Sequence, residues 1–277
     1  MAQRMSPQGK IGVFDSGFGG IDVLRGIVEA LPEYDYLYLG DTARTPYGTR
    51  SSEVVCAFTK QAVDFLFAQG CELVIFACNT ASSDALRYIQ HVYTPATYPD
   101  KKVLGVLIPA SEEAVAQTKN QKVGVIATEG TVHSKAFERE LHNRAEHISV
   151  FQQACPLLVP IVESGEHNSE IARLALDQYL QPLLKKGIDT LILGCTHYGI
   201  LEERIKEIVG PHITIISEAR VVPKKLKEYL ARHRDIEEKL GKGASVLFYS
   251  TDVTSKFETL GSVFFGKQIH AQSATLV

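Results

Sequence analysis

The amino-acid sequence predicts an α/β protein with two pseudo-symmetric lobes of mainly parallel sheet and a ligand site in the cleft between them. Two observations predict this fold class. Short β-branched runs alternate along the chain with amphipathic helical segments, which is typical of α/β proteins. Two apolar runs also recur in the same order: KIGVF at 10–14 resembles KVGVI at 122–126, and LVIFACNT at 73–80 resembles TLILGCTH at 190–197.

The repeated runs also predict how the chain divides. The matches lie 112 residues (122 − 10) and 117 residues (195 − 78) apart, so each half would hold one of two related lobes. We expect lobe one to contain residues 1–105 plus 218–277, and lobe two to contain residues 106–217. Short apolar strands also resemble one another by chance. The division into two lobes is therefore based on the alternation of strands and helices as well as on the repeated runs.

The same patterns locate the individual elements. Apolar, β-branched runs predict strands at 10–14, 36–39, 73–77, 103–107, 123–127, 191–194, 213–216 and 245–249. Apolar residues at helical spacing predict helices at 21–31, 53–69, 80–92, 110–119, 133–144, 169–186 and 200–208. The first helix has Ile21 and Leu24 on one face and is stopped by Pro32, and we expect Pro182 to kink the long helix at 169–186.

Composition excludes several classes of protein. The chain has 277 residues, of which 45% are hydrophobic and 22% charged, with a formal net charge of −3. This balance is ordinary for a soluble protein and provides no basic surface for nucleic acid or for a membrane. The longest apolar runs are broken by Gly, Cys or Pro, so we expect no transmembrane helix, and the first ten residues do not read as a secretory signal.

The five cysteines stand at irregular spacing with no CxxC pair. Their odd number and spacing argue against a disulfide framework and favour the reducing cytoplasm, where we expect the protein to reside. Cys56 lies in a predicted helix and Cys71 at the start of a strand, so we interpret both as packing residues. Cys155, whose backbone is restricted by Pro156, is open to either interpretation.

The two remaining cysteines each follow a predicted parallel strand. Cys78 follows the strand at 73–77, and Cys195 follows the strand at 191–194, with His197 two residues further on. Open α/β sheets bind ligands at the carboxyl ends of their strands, so two facing lobes would bring both thiols to one cleft. A helix start favours a thiolate at Cys78, and His197 can relay a proton for Cys195. The alternative for each thiol is a small core residue, and for His197 a structural role.

Polar loops after two strands of the first half supply further candidates. Asp15 opens the loop DSGFGG, whose spacing is neither that of a dinucleotide fingerprint nor that of a P-loop. Its carboxylate can bind an ammonium group or assist a base, or it can simply cap the helix that follows. Asn79 and Thr80 add donors for a carboxylate beside Cys78. The loop DTARTPYG at 41–48 is, by itself, an ordinary turn.

Two candidates in the second half have equally plain alternatives. Thr131 follows the counterpart of the first strand and is either a ligand contact or a helix cap. Glu163, in VPIVESG, is either a catalytic carboxylate or the polar end of an apolar run.

At these residues the sequence resembles the glutamate racemase family. The matching segments are IGVFDSGFGGIDVL at 11–24, DTARTPYGTRS at 41–51, VIFACNTASSDALR at 74–87, TEGTVHSKAF at 128–137, CPLLVPIVESG at 155–165 and LILGCTHYGIL at 191–201, with a weaker match near the end. The resemblance covers nearly the whole chain after residue 10, and the ACNTAS and GCTHYG pair with DSGFGG upstream is its most specific part.

The resemblance implies an activity and a set of site residues. Family members interconvert L- and D-glutamate without pyridoxal phosphate or metal, supply D-glutamate for bacterial peptidoglycan, and often form dimers, so we expect no cofactor and a homodimer. Cys78 and Cys195 match the family's acid/base pair, and Asp15, His197 and Glu163 match the residues that assist them. The positions that match substrate-holding residues are Ser16, Tyr47, Gly48, Asn79, Thr80, Thr131 and Thr196.

Two features depart from the family pattern. Directly after the strand at 213–216 the family usually has Asp-Ser or a close variant. The corresponding pair here is Ser217-Glu218, and we expect this difference to alter the hinge or the cleft wall. The longer N-terminal extension of members activated by a peptidoglycan precursor has no counterpart here, so we do not expect such activation.

Three other functions are weighed against this one. The nearest is racemisation of aspartate or a hydantoin by the same superfamily. A second is a thiol redox or metal protein that uses Cys78, Cys195 and His197, although zinc sites draw their ligands from local pairs and only the last two are close in sequence. A third is a two-lobed binding protein without catalysis.

Overall fold

The structure is a computed structural model that describes residues 8–277. Residues 1–7, which form most of the segment judged not to be a secretory signal, lie outside the described residues. Within the described residues, the strands are β1 Lys10–Asp15, β2 Tyr36–Gly40, β3 Cys71–Phe76, β4 Lys102–Gly105, β5 Lys122–Ala127, β6 Ser149–Ala154, β7 Thr190–Gly194, β8 Thr214–Ile216, β9 Val246–Ser250 and β10 Ala271–Ser273.

The helices lie between these strands and after them. The α-helices are α1 Ile21–Ala30, α2 Ser52–Ala68, α3 Asn79–Asp84, α4 Leu86–Tyr88, α5 Thr94–Thr97, α6 Leu107–Gln117, α7 Glu129–His133, α8 Ala136–His142, α9 Leu158–Glu163, α10 Glu170–Leu184, α11 Glu202–Val209, α12 Glu218–Arg232, α13 Arg234–Glu237 and α14 Ser255–Phe265. Short 3₁₀ turns lie at Thr42–Arg44, Tyr47–Thr49, Glu166–Asn168 and Thr196–Leu201, and a π-helical turn at Ile89–Tyr93.

The strands form two all-parallel sheets whose topologies match. One sheet has the order β10-β9-β2-β1-β3-β4 and the other has the order β6-β5-β7-β8. When β1 is set against β5 and β3 against β7, the order β2-β1-β3-β4 is repeated as β6-β5-β7-β8. The predicted fold class is therefore confirmed, and the sequence repeat corresponds to equivalent strands.

The central strands are buried on both faces. Every residue of β2 and β7 is buried, as parallel strands covered by helices require. In the first sheet, Phe14 of β1 lies opposite Leu39 of β2 and Phe76 of β3, so the three strands end together at one edge of the sheet. The loops that follow them are thereby gathered at that edge.

Residues after 217 return to the six-stranded sheet. Helix α12 packs along α1, and β9 pairs with β2 while β10 pairs with β9. Gly26 of α1 allows this close approach, because a Cβ there would lie 2.1 Å from the carbonyl oxygen of Ala219. The exact limits of the lobes, 1–105 plus 218–277 and 106–217, stay a prediction.

Several predicted elements differ from the structure. The strand predicted at 103–107 ends at Gly105, because α6 begins at Leu107. The helix predicted at 133–144 corresponds to α8 and begins only at Ala136, since Lys135 has φ of 54° and separates α8 from α7. The segment 80–92 is divided among α3, α4 and the π-helical turn. Pro182 lies inside α10, where the predicted kink stays a prediction.

The sequence did not predict strands β6 and β10 or helices α5, α7, α9, α12, α13 and α14. Strand β6, with the sequence SVFQQA, is half-buried at the edge of its sheet, and its two glutamines obscure the apolar pattern. Helix α12 contains Pro223, which weakens a helical prediction from sequence. No helix within residues 8–277 combines the length and apolar character needed to cross a membrane.

Candidate active site

The two cysteines singled out from the sequence lie at equivalent positions of the two sheets. Cys78 is the N-cap residue of α3, just beyond β3, and Cys195 follows β7 directly. Both thiols are nearly closed to solvent, with Cys78 4% and Cys195 7% exposed. Burial raises the pKa of Cys195, and the charge of the nearby Cys78 thiol adds to the rise. That the two thiols serve one reaction site stays a prediction.

Cys78 is held by two polar contacts. Its thiol donates to Ser16 Oγ at 3.4 Å, and its Sγ accepts from the backbone N–H of Ala81 at 3.4 Å. Burial raises the pKa of the Cys78 thiol to about 12, and the charge of Asp15 raises it further. The contacts with Ser16 and Ala81 lower this pKa, but by less. The predicted helix-start contact thus exists, but the expected net stabilisation of a thiolate does not, because burial outweighs it.

Cys195 has a different set of neighbours. Its Sγ lies 3.8 Å from His197 Nδ1. Burial raises the pKa of Cys195 well above 9.0, and the backbone N–H of His197 opposes the rise only in part. Both thiols are therefore neutral near pH 7, and each needs a neighbouring group to take its proton.

His197 connects Cys195 to a carboxylate. The ring Nε2 lies 3.2 Å from Glu163 Oε1, at the last residue of α9. Burial tends to raise the pKa of Glu163, but the hydrogen bond and charge of His197 and the charge of Lys256 outweigh it and lower that pKa. If Nε2 carries the ring proton, it donates to Glu163 and leaves Nδ1 free to accept a proton from Cys195. The three side chains are therefore in contact in the order Cys195, His197, Glu163, from thiol to carboxylate.

Asp15 joins the loops of the two sheets. It ends β1 and is fully buried, and its Oδ1 accepts from the hydroxyl of Thr196 at 3.2 Å. Its Oδ2 accepts from the backbone N–H of Gly17 at 2.9 Å. Burial raises the pKa of Asp15, although the charge of His197 opposes the rise. The Asp15 carboxyl also accepts from the backbone N–H of Gly20, the N-cap residue of α1, so the alternative role at the start of that helix is compatible with its place in the site.

Gly19 allows the loop after β1 to touch the loop after β7. A Cβ at this position would lie 2.6 Å from Thr196 Oγ1 and 2.8 Å from His197 Nδ1. Both distances are shorter than atoms tolerate, so only a glycine fits without displacing the histidine that contacts Cys195.

Three threonine hydroxyls meet across the cleft. Thr80, on α3, lies 3.1 Å from Thr128 Oγ1 and 3.5 Å from Thr131 Oγ1. Thr128 and Thr131 are also hydrogen-bonded to each other at 3.1 Å, and Thr128 caps α7. The helix cap is therefore Thr128 and not Thr131, which is fully buried and contacts the other two hydroxyls.

Tyr47 and Gly48 lie beside this cluster but differ in what they offer. The Tyr47 hydroxyl donates to Asp41 Oδ2 at 2.5 Å, so its side chain is engaged within its own loop. Asp41 also accepts from Arg44 Nε at 2.7 Å, which fixes the loop further. Gly48 is packed so closely against Thr128 that a Cβ would lie 2.7 Å from the threonine Cβ. The backbone of this loop, more than the tyrosine hydroxyl, reaches the cleft.

Asn79 completes the set of predicted site residues. Its Nδ2 donates to Glu218 Oε2 at 2.9 Å, and both side chains are buried. Glu218 is the first residue of α12, where the sequence departs from the family pattern. This contact was not foreseen from the sequence.

Comparisons with known proteins agree with this geometry. The family model described as Asp/Glu/Hydantoin racemase matches residues 11–222. The chain belongs to the Asp/Glu/hydantoin racemase family. A glutamate racemase from Syntrophus aciditrophicus is 39% identical over 260 residues, which are 94% of this chain and 93% of that protein.

Solved structures of racemases share the whole fold. Glutamate racemase isoform RacE1 from Bacillus anthracis has a TM-score of 0.89 with 35% identity, and the match covers 98% of both chains. Glutamate racemase from Francisella tularensis, solved in complex with D-glutamate, has a TM-score of 0.87 with 32% identity and covers 98% of both chains.

This racemase also has site residues that sequence reasoning missed. A cavity of about 390 Å³ adjoins Glu163 and is lined in part by Thr128, Cys155 and Lys256. Lys256 belongs to α14, and its charge acts on Glu163. Nothing in the local sequence gives it that role, because it reaches the site only through tertiary packing. Cys155, which was open to either interpretation, is buried, and burial raises its pKa to about 12, so it is a packing residue at the cavity wall.

Proposed function

We propose that this chain interconverts L- and D-glutamate without a cofactor, with Cys78 and Cys195 as the acid/base pair. The observation that carries the proposal is the equivalent placement of the two thiols at the carboxyl ends of β3 and β7. Two proton-transfer groups from two facing sheets can serve the two faces of one planar intermediate. The glutamate racemases that match nearly the full length of the chain favour glutamate over aspartate or a hydantoin as substrate.

The reaction needs proton removal from Cα on one face and proton return on the other. On one side, Cys195 passes its thiol proton to His197 Nδ1, 3.8 Å away, while Glu163 holds the opposite ring nitrogen. On the other side, Asp15 is the carboxylate whose charge acts on the Cys78 thiol. The hand of the substrate decides which sulfur begins as the base and which as the acid.

The remaining side chains suit a ligand with an ammonium group and two carboxylates. Asp15 is the buried acceptor for the ammonium group, and Ser16 and Thr196 lie within hydrogen-bond distance of the catalytic groups. Thr80 and Thr131 provide hydroxyl donors for carboxylate oxygens. Burial of these groups excludes water and strengthens their electrostatic action on the intermediate.

We also propose the cellular setting that this chemistry serves. The D-glutamate formed would supply peptidoglycan synthesis in the cytoplasm of a bacterium, and the protein would act as a homodimer. The proposal of a homodimer rests on the resemblance to the glutamate racemase family, whose members often form dimers. Light scattering during gel filtration tests the oligomeric state, and a monomeric mass would overturn it.

The decisive test is incubation with L-glutamate in deuterated water without added cofactor. We expect optical rotation to decay while deuterium enters Cα, as followed by circular dichroism and NMR. Parallel incubations with L-aspartate and a hydantoin distinguish the substrates within the family. Folded, reduced protein that leaves L-glutamate unchanged but racemises either of the others would refute the proposal.

A further inference from the structure

We propose that Glu218 is a positioning residue that fixes the orientation of the Asn79 amide beside Cys78, an inference that rests on the proposed racemase function. Glu218 begins α12, directly after the chain leaves the four-stranded sheet. Asn79 begins α3, whose N-cap is Cys78. The contact therefore connects the segment by which the chain returns to the six-stranded sheet with the loop that carries one of the two thiols.

The two side chains are buried and are joined by one hydrogen bond. Asn79 is 2% exposed and Glu218 is 4% exposed. The Asn79 Nδ2 donates to Glu218 Oε2 at 2.9 Å. Within the described residues, the second oxygen of each side chain, Asn79 Oδ1 and Glu218 Oε1, has no hydrogen-bond partner. Each side chain therefore keeps a second buried oxygen that takes no part in their mutual contact.

One hydrogen bond is enough to fix the orientation of the Asn79 side-chain amide. The two ends of an asparagine amide differ, one being a donor and the other an acceptor, so a fixed donor end also fixes the direction of the acceptor end. If Glu218 did not accept from Nδ2, the amide could turn over and present its donor end to the site. Buried polar atoms without partners are costly, so a ligand that donates to Asn79 Oδ1 would gain from the fixed orientation.

The charge of Glu218 is not what the site uses. Burial raises the pKa of Glu218 well above 4.5, and the neighbouring charge of Asp15 adds to the rise. A neutral carboxyl still accepts a hydrogen bond, and it spares Cys195 a further negative charge, which would raise the pKa of that thiol. Glutamine has the length and the acceptor of the neutral acid, whereas aspartate has the carboxyl group without the reach.

The experiment compares three variants at this position by kcat/KM for L-glutamate. Glu218→Ala removes the anchor, and we expect a fall of about 10-fold or more, equivalent to about 1.4 kcal/mol. Glu218→Asp, one methylene shorter, should lose nearly as much, while Glu218→Gln should stay within about 3-fold of the wild type. In an Asn79→Ala background, Glu218→Ala should add less than about 2-fold, because the shared contact is already gone.

A buried carboxylate of the same region provides the matched control. Glu202 is 7% exposed and pairs with Arg220 and with Lys206, the latter at 2.9 Å. Glu202→Gln removes a buried charge without touching Asn79, so kcat/KM should remain that of the wild type even if the protein is less stable. An equal fall in Glu202→Gln and Glu218→Ala would show that any buried carboxylate here matters through stability alone, and would overturn the proposal.

A readout independent of catalysis separates this inference from the proposed function. The side-chain amide protons of Asn79 should exchange slowly with solvent by ¹H–¹⁵N NMR in the wild type and in Glu218→Gln, and fast in Glu218→Asp. Fast exchange in the wild type, or a Glu218→Gln variant as impaired as Glu218→Ala, would refute the positioning role. If the wild type does not racemise glutamate, the proposed function fails while the exchange measurement still tests this contact.

Discussion

Cys78 and Cys195 occupy equivalent places in two sheets of matching order, but their surroundings differ. Cys78 has a hydroxyl and a backbone N–H as its contacts, whereas Cys195 stands at one end of a relay through His197 to Glu163. The order of the strands is therefore repeated in the two sheets, while the groups that contact the two thiols differ. A racemase needs two proton-transfer groups on opposite faces of one carbon, and in the proposed mechanism these two are activated in different ways.

Removal of either sulfur is the most severe way to break this arrangement. Cys78→Ser and Cys195→Ser should each lower racemisation by about 10³-fold or more, since each removes the proton-transfer group of one face. Each variant should still exchange deuterium into the one enantiomer whose Cα proton faces the remaining thiol, without inversion. NMR of separated enantiomers measures this exchange.

A thiol outside the site provides the control for that experiment. Cys56 lies in α2 and is half-buried, so Cys56→Ser should racemise glutamate like the wild type. Full racemisation by either Cys78→Ser or Cys195→Ser would remove that cysteine from the mechanism.

The relay on the Cys195 side should matter less than the sulfur itself. Glu163→Gln keeps the size of the side chain but removes the charge that holds His197, so kcat should fall about 10- to 100-fold. Because the two enantiomers have equal free energy, kcat/KM must fall equally in both directions. The asymmetry appears instead in the substrate isotope effect, which should rise for the α-deuterated enantiomer whose proton Cys195 removes.

Glu166 offers a matched carboxylate for this comparison. It lies three residues beyond Glu163 and is exposed, so Glu166→Gln should leave both rates and isotope effects unchanged. Isotope effects in Glu163→Gln that rise equally for both enantiomers would contradict a relay confined to Cys195.

The buried thiols should also make stability depend on pH. The pKa of Cys78 is raised from 9.0 to about 12, so the neutral buried thiol contributes its full stability below pH 9, and that contribution is lost as the pH rises toward 12. Each such group lowers the free energy of unfolding by about 1.4 kcal/mol per pH unit in that range. Urea unfolding of the wild type and Cys78→Ala from pH 8 to about pH 10 should show a shallower decline in the variant. Identical slopes would mean that Cys78 titrates normally in the folded protein.

The smallest expected effect lies between the two halves, in the threonine cluster. Thr131→Val removes one buried hydroxyl of similar size, and KM should rise about 3- to 10-fold, as expected for one hydrogen bond. Thr128→Val should raise KM similarly but should also lower the free energy of unfolding by about 1 kcal/mol, because Thr128 caps α7. Steady-state kinetics and urea unfolding of both variants measure this difference, and an unchanged KM in Thr131→Val would exclude its hydroxyl from substrate binding.

The sequence predicts the features that the two sheets share better than the contacts that occur in only one place. The placement of Cys78 and Cys195 after β3 and β7 follows from local patterns, since apolar runs and their end residues are adjacent in sequence. The contact between Asn79 and Glu218 could not be predicted, because 139 positions separate the two residues and no periodicity connects them. Lys256 is missed for the same reason.

The direction of the shift in the pKa of the Cys78 thiol could not be predicted from the sequence either. A helix start after Cys78 indicates stabilisation of a thiolate, and the contact with Ala81 is present. The depth of burial decides the outcome instead, and burial depends on every element that packs over the cleft. Strand β6 shows the same limit for the fold, since its glutamines are explained only by its position at a sheet edge.

Gly19 acts as a spacer between the two halves of the reaction. A methyl group there would meet Thr196 at 2.6 Å and His197 at 2.8 Å, so even alanine would have to push the two loops apart. The close approach of the two loops thus depends on a missing side chain as well as on the hydrogen bond from Thr196 to Asp15. Any side chain larger than hydrogen at position 19 would therefore require a compensating change in the loop that carries Thr196 and His197.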